Sequence, residues 1–204
     1  MIVTVSNQYG SGAVAIAERV AGELGYALID RQLPVVVAKR LNVPVDVVEA
    51  SEDSGRSLGE RLLTGLEMAT PELAPASAIA EPFDETLLHA VQAAVRDYAA
   101  RGNAVIVGRG AGTILHDRTD LLAAFMYAPR DWRIAHIVSA MRVDAKTAAA
   151  EVDRVDRARS AYLRDWYGIA FGDPAHYDLC IDTSRLGEDA AVAAIVAAVR
   201  ARGA

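Results

Sequence analysis

The chain has 204 residues, 52% of them hydrophobic and 6% aromatic, enough aliphatic material for one ordinary core. Its net charge of −6, from 27 acidic against 21 basic residues, argues against sequence-independent nucleic-acid binding, which requires a basic stripe. Apolar runs such as Leu121 to Ala128 are far too short to span a bilayer. The single cysteine, Cys180, sits in an apolar run and is expected as a buried thiol in a reducing compartment. With no charged-then-apolar leader ahead of the first strand, a cytoplasmic protein without nucleic-acid or membrane partners is expected.

The elements alternate along the chain. Ile2 to Val5 reads as a strand. Val14, Ala17, Val20, Ala21 and Leu24 then recur on one helical face, and Gly25 stops that helix. Ala27 to Asp30 is a second short strand, and 33–49 reads as helix broken near Pro44. Residues 50–83 are rich in Ser, Pro, Glu and Gly without a sustained period, so an irregular excursion is expected there. Helix resumes at about Asp84 and ends at the Gly102 cap.

Ala104 to Val107 is a third strand running into a glycine–arginine turn, and the run from Leu121 is a fourth, closed by Pro129. Helices over about 130–142 and 144–165, a strand from Tyr177 to Ser184 and a helix from Glu188 complete the chain. Strands alternating with helices predict an α/β fold of three layers around a parallel sheet.

The stretch "SNQYGSGAV" between the first strand and its helix approximates the phosphate-binding loop GxxxxGK[ST]. In that loop, backbone N–H groups wrap phosphates, a lysine neutralises them and a hydroxyl holds magnesium. Gly10 and Gly12 still permit the turn. Asn7 takes the first glycine's place, Ala13 the lysine's and Val14 the hydroxyl's. Taken alone, glycines that merely permit a tight strand-to-helix turn explain the stretch equally well.

Arg109 follows a buried strand at the C-terminal edge of the sheet, where such folds bind ligands. The run "EVDRVDRARSAYLRD" can be read as a solvated helix, with Asp153 placed four before Arg157 for an ion pair. His89, His116, His136 and His176 have no metal-ligand spacing among themselves or with Cys180. Trp132, Trp166 and Tyr167 are expected to pack rather than stack on a base.

Taken together, "SNQYGSG", "ALIDRQL", "VIVGRGAGTIL", "VDRVDRARSAYLRDWYG" and "YDLCIDTSRL" resemble the cytidylate kinase-like family among the P-loop nucleoside monophosphate kinases. The blocks stand in matching order nearly end to end, and the match is weakest between 40 and 85. The resemblance implies a single P-loop kinase domain over 1–204, with a five-stranded parallel sheet in the order 2-3-1-4-5. The divergent stretch 34–85 would line the acceptor side, and 144–168 would be an arginine-rich lid.

It further implies ATP-dependent phosphoryl transfer to a nucleoside monophosphate, CMP or dCMP being typical. Tyr9, Gly10, Ser11, Gly12, Ala13 and Val14 take the loop positions that cradle the donor phosphates. Arg109 matches the arginine on the acceptor phosphate, and Asp30 an aspartate beside the acceptor site. Arg157 and Arg159 match lid arginines, and Arg154 lies one turn before Arg157.

Two departures stand out: the loop lacks its lysine and hydroxyl, and Gly110 replaces an aspartate after "GR". Mg2+ would then be held mainly by phosphates and water, with Asp30 or Ser11. Four arginines could supply the missing charge, Arg109, Arg154, Arg157 and Arg159, with Arg56 and Arg61 also at hand. A slow kinase is therefore expected. The alternative is a non-catalytic nucleotide- or phosphate-binding module that senses a ligand or binds a partner. The apolar, proline-bearing segment 66–83 would suit a homodimer contact.

Overall fold

The computed structural model describes residues 1–30, 32–46, 48 and 77–203. Its framework is a sheet of strands β1 (Ile2–Asn7), β2 (Ala27–Ile29), β3 (Ala104–Val107), β4 (Leu121–Tyr127) and β5 (Leu179–Asp182), in the order β2-β3-β1-β4-β5. All pairings are parallel, with Val3 of β1 opposite Val105 on one side and Leu122 on the other. The expected 2-3-1-4-5 order is the one observed.

β1 lies centrally, so both its faces are covered, and Ile2, Val3, Thr4 and Val5 are all buried. Successive side chains alternate between the two layers. Val3 and Val5 join Ile16, Ala17 and Val20 of α1 (Ala13–Leu24) and Val192, Ile195 and Val196 of α7 (Thr183–Arg202). Ile2 faces the other layer, with Leu33 and Val37 of α2 (Gln32–Leu41) and Val91, Ala94 and Val95 of α3 (Ser77–Ala100). Each Val, Leu or Ile among them contributes roughly 1.5–3 kcal/mol on full burial.

A short α4 (Ala111–Ile114) follows β3, and α5 (Arg130–Met141) packs on α6 (Ala145–Tyr167) after β4. Ile137, Ala148 and Val152 form a small core of their own there, with Tyr9 against it. Asp144 caps α6 by accepting from Thr147 N–H, and Gly168 closes it. Among the described residues, no helix is long and apolar enough to cross a membrane.

Four expectations need correction. Residues 77–83, read as irregular, belong to α3, although Pro82 interrupts the pattern there. The rest of the 50–83 stretch, with Arg56, Arg61 and most of the dimer segment, lies outside the described residues. β5 is shorter than expected, because Asp182 accepts from Ser184 N–H and starts α7 at Thr183. Cys180 is exposed: on this edge strand Leu179 and Ile181 turn toward α1 and α7, and alternation sends Cys180 the other way. Trp166 is also exposed, whereas Trp132 stacks on His136.

Candidate phosphate-binding site

The sheet is parallel, so the C-terminal ends of β1, β2 and β3 share one edge. That edge carries the glycine loop after Asn7, Asp30 after β2 and Arg109 after β3. Gly10 at φ 80° and Gly12 at φ 78° make the turn, a conformation that side chains with a Cβ avoid. Gly12 is also the N-cap of α1, with no side chain capping it. The first helical bond it accepts comes from Ile16 N–H, at 3.3 Å. The N–H groups of Ala13, Val14 and Ala15 therefore precede the helical ladder at the positive end of the dipole, which suits an anion. Ser11 is 1% exposed and its Oγ has no hydrogen-bond partner among the described residues. A buried hydroxyl left open in this way fits a phosphate oxygen.

The loop carbonyls are held from three directions. Arg159 Nη1 donates to Asn7 O at 2.6 Å, Arg133 Nη1 to Tyr9 O at 2.8 Å and Thr183 Oγ1 to Ser11 O at 2.8 Å. In a trans peptide the next N–H points opposite to the carbonyl. The N–H groups of Gly10 and Gly12 are thereby aimed away from Arg133 and Thr183. The gap at the lysine position is a filled one: Ala13 is 2% exposed within the α1 core, while Val14, in the hydroxyl's place, is 40% exposed.

The residues the sequence brought forward for phosphate chemistry separate in space. Arg159 reaches the loop. Arg154 instead makes a two-point pair with Glu151, at 2.9 and 2.6 Å, and holds that carboxyl below its usual range. It lines a shallow depression with Asp144, Lys146 and Thr147. Arg157 is exposed. The Asp153–Arg157 helical pair does not form as expected: Asp153 takes a bidentate pair from Arg130 of α5, at 2.8 and 2.7 Å.

Arg109 has φ 59°, between Gly108 at φ 70° and Gly110 at φ 67°. A three-residue left-handed run is costly outside glycine, and Gly108 N–H anchors it to Val5 O at 2.9 Å. Beside it, Tyr162 and Tyr167 bring their hydroxyls to 3.3 Å. Burial raises the Tyr162 pKa well above its usual value, while the nearby Arg109 charge pulls the other way. A Cβ on Gly110 would lie 3.2 Å from Tyr162 Cε1 and 3.4 Å from Tyr167 Cε2. The two rings thus fill the space an aspartate at this position would enter.

Sequence reasoning missed Arg133, Asp156 and Thr183. Asp156 lay inside the quoted arginine run, but nothing in the pattern "DWRIAHIV" marks Arg133 as 5% exposed. Asp30 closes β2, and its carbonyl accepts from Leu33 N–H at 3.3 Å. Among the described residues, no group of three or more His, Cys, Asp or Glu side chains gathers as it would around a metal ion.

Comparison with known proteins bears on this arrangement. Residues 2–185 match the family model described as the cytidylate kinase-like family. A cytidylate kinase of Methanopyrus kandleri is 24% identical over 98% of this chain and 93% of its own length. Among solved structures, an uncharacterized protein from Eubacterium ventriosum aligns with a TM-score of 0.69 at 20% identity, covering 98% of each chain. Shikimate kinase from Bacteroides thetaiotaomicron aligns at 0.56 and 14% identity, again over 98% of each. Those structural likenesses establish the kinase fold. The family match covers the loop, Arg109 and the arginine run alike, so this nucleotide kinase-like chain, with no lysine in its glycine loop, belongs to the cytidylate kinase-like family.

Proposed function

We propose that this protein is a nucleoside monophosphate kinase that transfers a phosphoryl group from ATP to CMP or dCMP. The observation that carries the reading is the loop. An uncapped helix N-terminus, a buried Ser11 hydroxyl without a partner among the described residues and an arginine on the Asn7 carbonyl meet at the C-terminal edge of a parallel sheet. This is where α/β folds bind ligands.

In this reading the Gly10, Gly12, Ala13 and Val14 N–H groups receive the donor phosphates, with Tyr9 completing the loop. Arg159 supplies the charge that the missing lysine would have given. Its planar fork suits phosphate oxygens. Arg109 grips the acceptor phosphate and Asp30 borders the acceptor site, while Arg154 and Arg157 precede Arg159 on α6. The attacking acceptor oxygen is already ionised, so no side chain has to remove a proton. The protein's work is positioning and charge neutralisation. Magnesium, when bound, neutralises the donor phosphates; Ser11 and Asp30 are the side chains that would help hold it, with phosphates and water supplying the other ligands.

One observation favours a second reading, a nucleotide-binding module without catalysis: Ala13 is packed into the core, so the lysine position has been given over to stability.

The deciding experiment is diphosphate formation from CMP, dCMP, UMP, AMP and GMP with Mg-ATP, using Arg109→Ala from an identical preparation as control. Turnover of one monophosphate that disappears in the variant supports the kinase. Equal silence of both proteins, together with tight binding of a nucleotide, supports the module.

A further inference from the structure

Arg133 is an unusual residue for the interior of α5. Its guanidinium makes three bonds: Nε to Ala128 O at 3.0 Å, Nη1 to Tyr9 O at 2.8 Å and Nη1 to Asp156 Oδ2 at 2.7 Å. Asp156 of α6 uses its other oxygen, Oδ1, to accept from Tyr9 N–H at 2.8 Å. The two charges therefore meet each other and both ends of one loop residue. Gly10 lets α5 come this close, since a Cβ there would lie 3.0 Å from Arg133 O and 3.0 Å from Ile137 Cγ1.

Burying an ion pair is an expensive way to fill space between two helices, and apolar residues of similar volume do it as well or better. A pair whose spare hydrogen-bonding capacity ends on a single loop residue suggests a different use. Fixing Tyr9 N–H and Tyr9 C=O leaves that residue no freedom to flip, and so fixes the direction of the following Gly10 N–H. The side chains themselves lie on the far side of that peptide.

We infer that Arg133 and Asp156 are positioning residues for the donor phosphates, acting through Tyr9 to hold the Gly10 N–H toward them. The inference rests on the reading of the loop as the donor-phosphate cradle. It also means that the middle of α6 is docked on the loop, a contact that Arg130 and Asp153 extend at the surface.

The test is calorimetric titration of a non-hydrolysable ATP analogue with magnesium, and separately of CMP, into wild type, Asp156→Asn, Asp156→Ala and Arg133→Met. Asp156→Ala and Arg133→Met are expected to weaken analogue binding about tenfold, the usual effect of losing one charge-assisted hydrogen bond, while CMP affinity holds. Asp156→Asn keeps an oxygen for Tyr9 N–H and is expected to retain most of the affinity. Should Arg133→Met fail to fold, the Asp156 pair decides, because that side chain is partly exposed.

Folded Asp156→Ala and Arg133→Met proteins that bind the analogue like wild type overturn the inference, as does an equal loss for both ligands. If wild type itself binds CMP but no ATP analogue, the cradle reading falls and the inference with it. Wild-type binding of the analogue with indifferent variants removes the inference alone.

Discussion

Arg159, in the middle of α6, places Nη1 2.6 Å from the carbonyl oxygen of Asn7, the residue that stands first in the glycine loop. A guanidinium so placed brings fixed positive charge to a loop that has no lysine. On the proposed kinase reading, its removal is expected to lower phosphoryl transfer by roughly a hundred- to a thousandfold, about 3–4 kcal/mol of lost transition-state stabilisation. Arg159→Lys is expected to recover only part of this, because an ammonium cannot serve a carbonyl and a phosphate with one planar fork. Steady-state turnover of the three proteins, compared at saturating ATP, checks it.

Putting the loop motif back should not work at both positions. Ala13 is 2% exposed within the α1 core, so Ala13→Lys forces a long chain and a charge into a packed site and sets that charge on the positive end of a helix. A loss of about 1–3 kcal/mol is expected from overpacking alone. Val14→Thr, at a 40% exposed position, is expected to change stability by no more than about 0.5 kcal/mol. Urea midpoints of the two variants distinguish these outcomes.

Restoring the aspartate after the "GR" pair meets a steric wall. Gly110→Asp must adopt φ 67° and place its Cβ 3.2 Å from the Tyr162 ring. The backbone contribution alone is expected to cost about 1–2 kcal/mol, seen as a lower melting temperature. The companion change Tyr162→Ala is expected to remove the clash while leaving the backbone strain, so the two substitutions should be non-additive.

Tyr162 also predicts a pH dependence. Burial raises its pKa well above the ordinary value, so the folded state holds the phenolic proton more tightly than the unfolded chain does. That contribution is fully present below the unfolded pKa of about 10 and is lost as pH rises through the folded value. Stability should therefore fall at strongly alkaline pH, and less steeply in Tyr162→Phe. Melting temperatures at neutral and alkaline pH, taken for both proteins, provide the check.

The layered fold was legible because its strands are short apolar runs bounded by Gly, Pro and helical periodicity, and the strand order followed from the resemblance. The loop and Arg109 were legible because their glycines mark turns at strand ends. Asp156, Arg133 and Thr183 were not, since a buried charge or hydroxyl on a helix has the spacing of a solvated one. Only the approach of α5 and α6 to the loop tells them apart. Cys180 was misread for a related reason: an apolar run on an edge strand looks the same as one in the sheet's interior.

The final helix carries one break, at Gly187, with φ 77° and ψ 167°, a conformation almost confined to glycine. Ahead of it, the turn beginning at Thr183 bonds to the loop. Behind it, the long segment lies along α1, tied at its start by Arg19 to Asp189. The break makes them two separate helical segments. A small slide of the long segment, such as a repacked Val192 or Ile195 would bring, can be absorbed at Gly187 before it reaches the Ser11 carbonyl. Sequence drift in the apolar layer between α1 and α7 is thereby expected to disturb the geometry of the loop less.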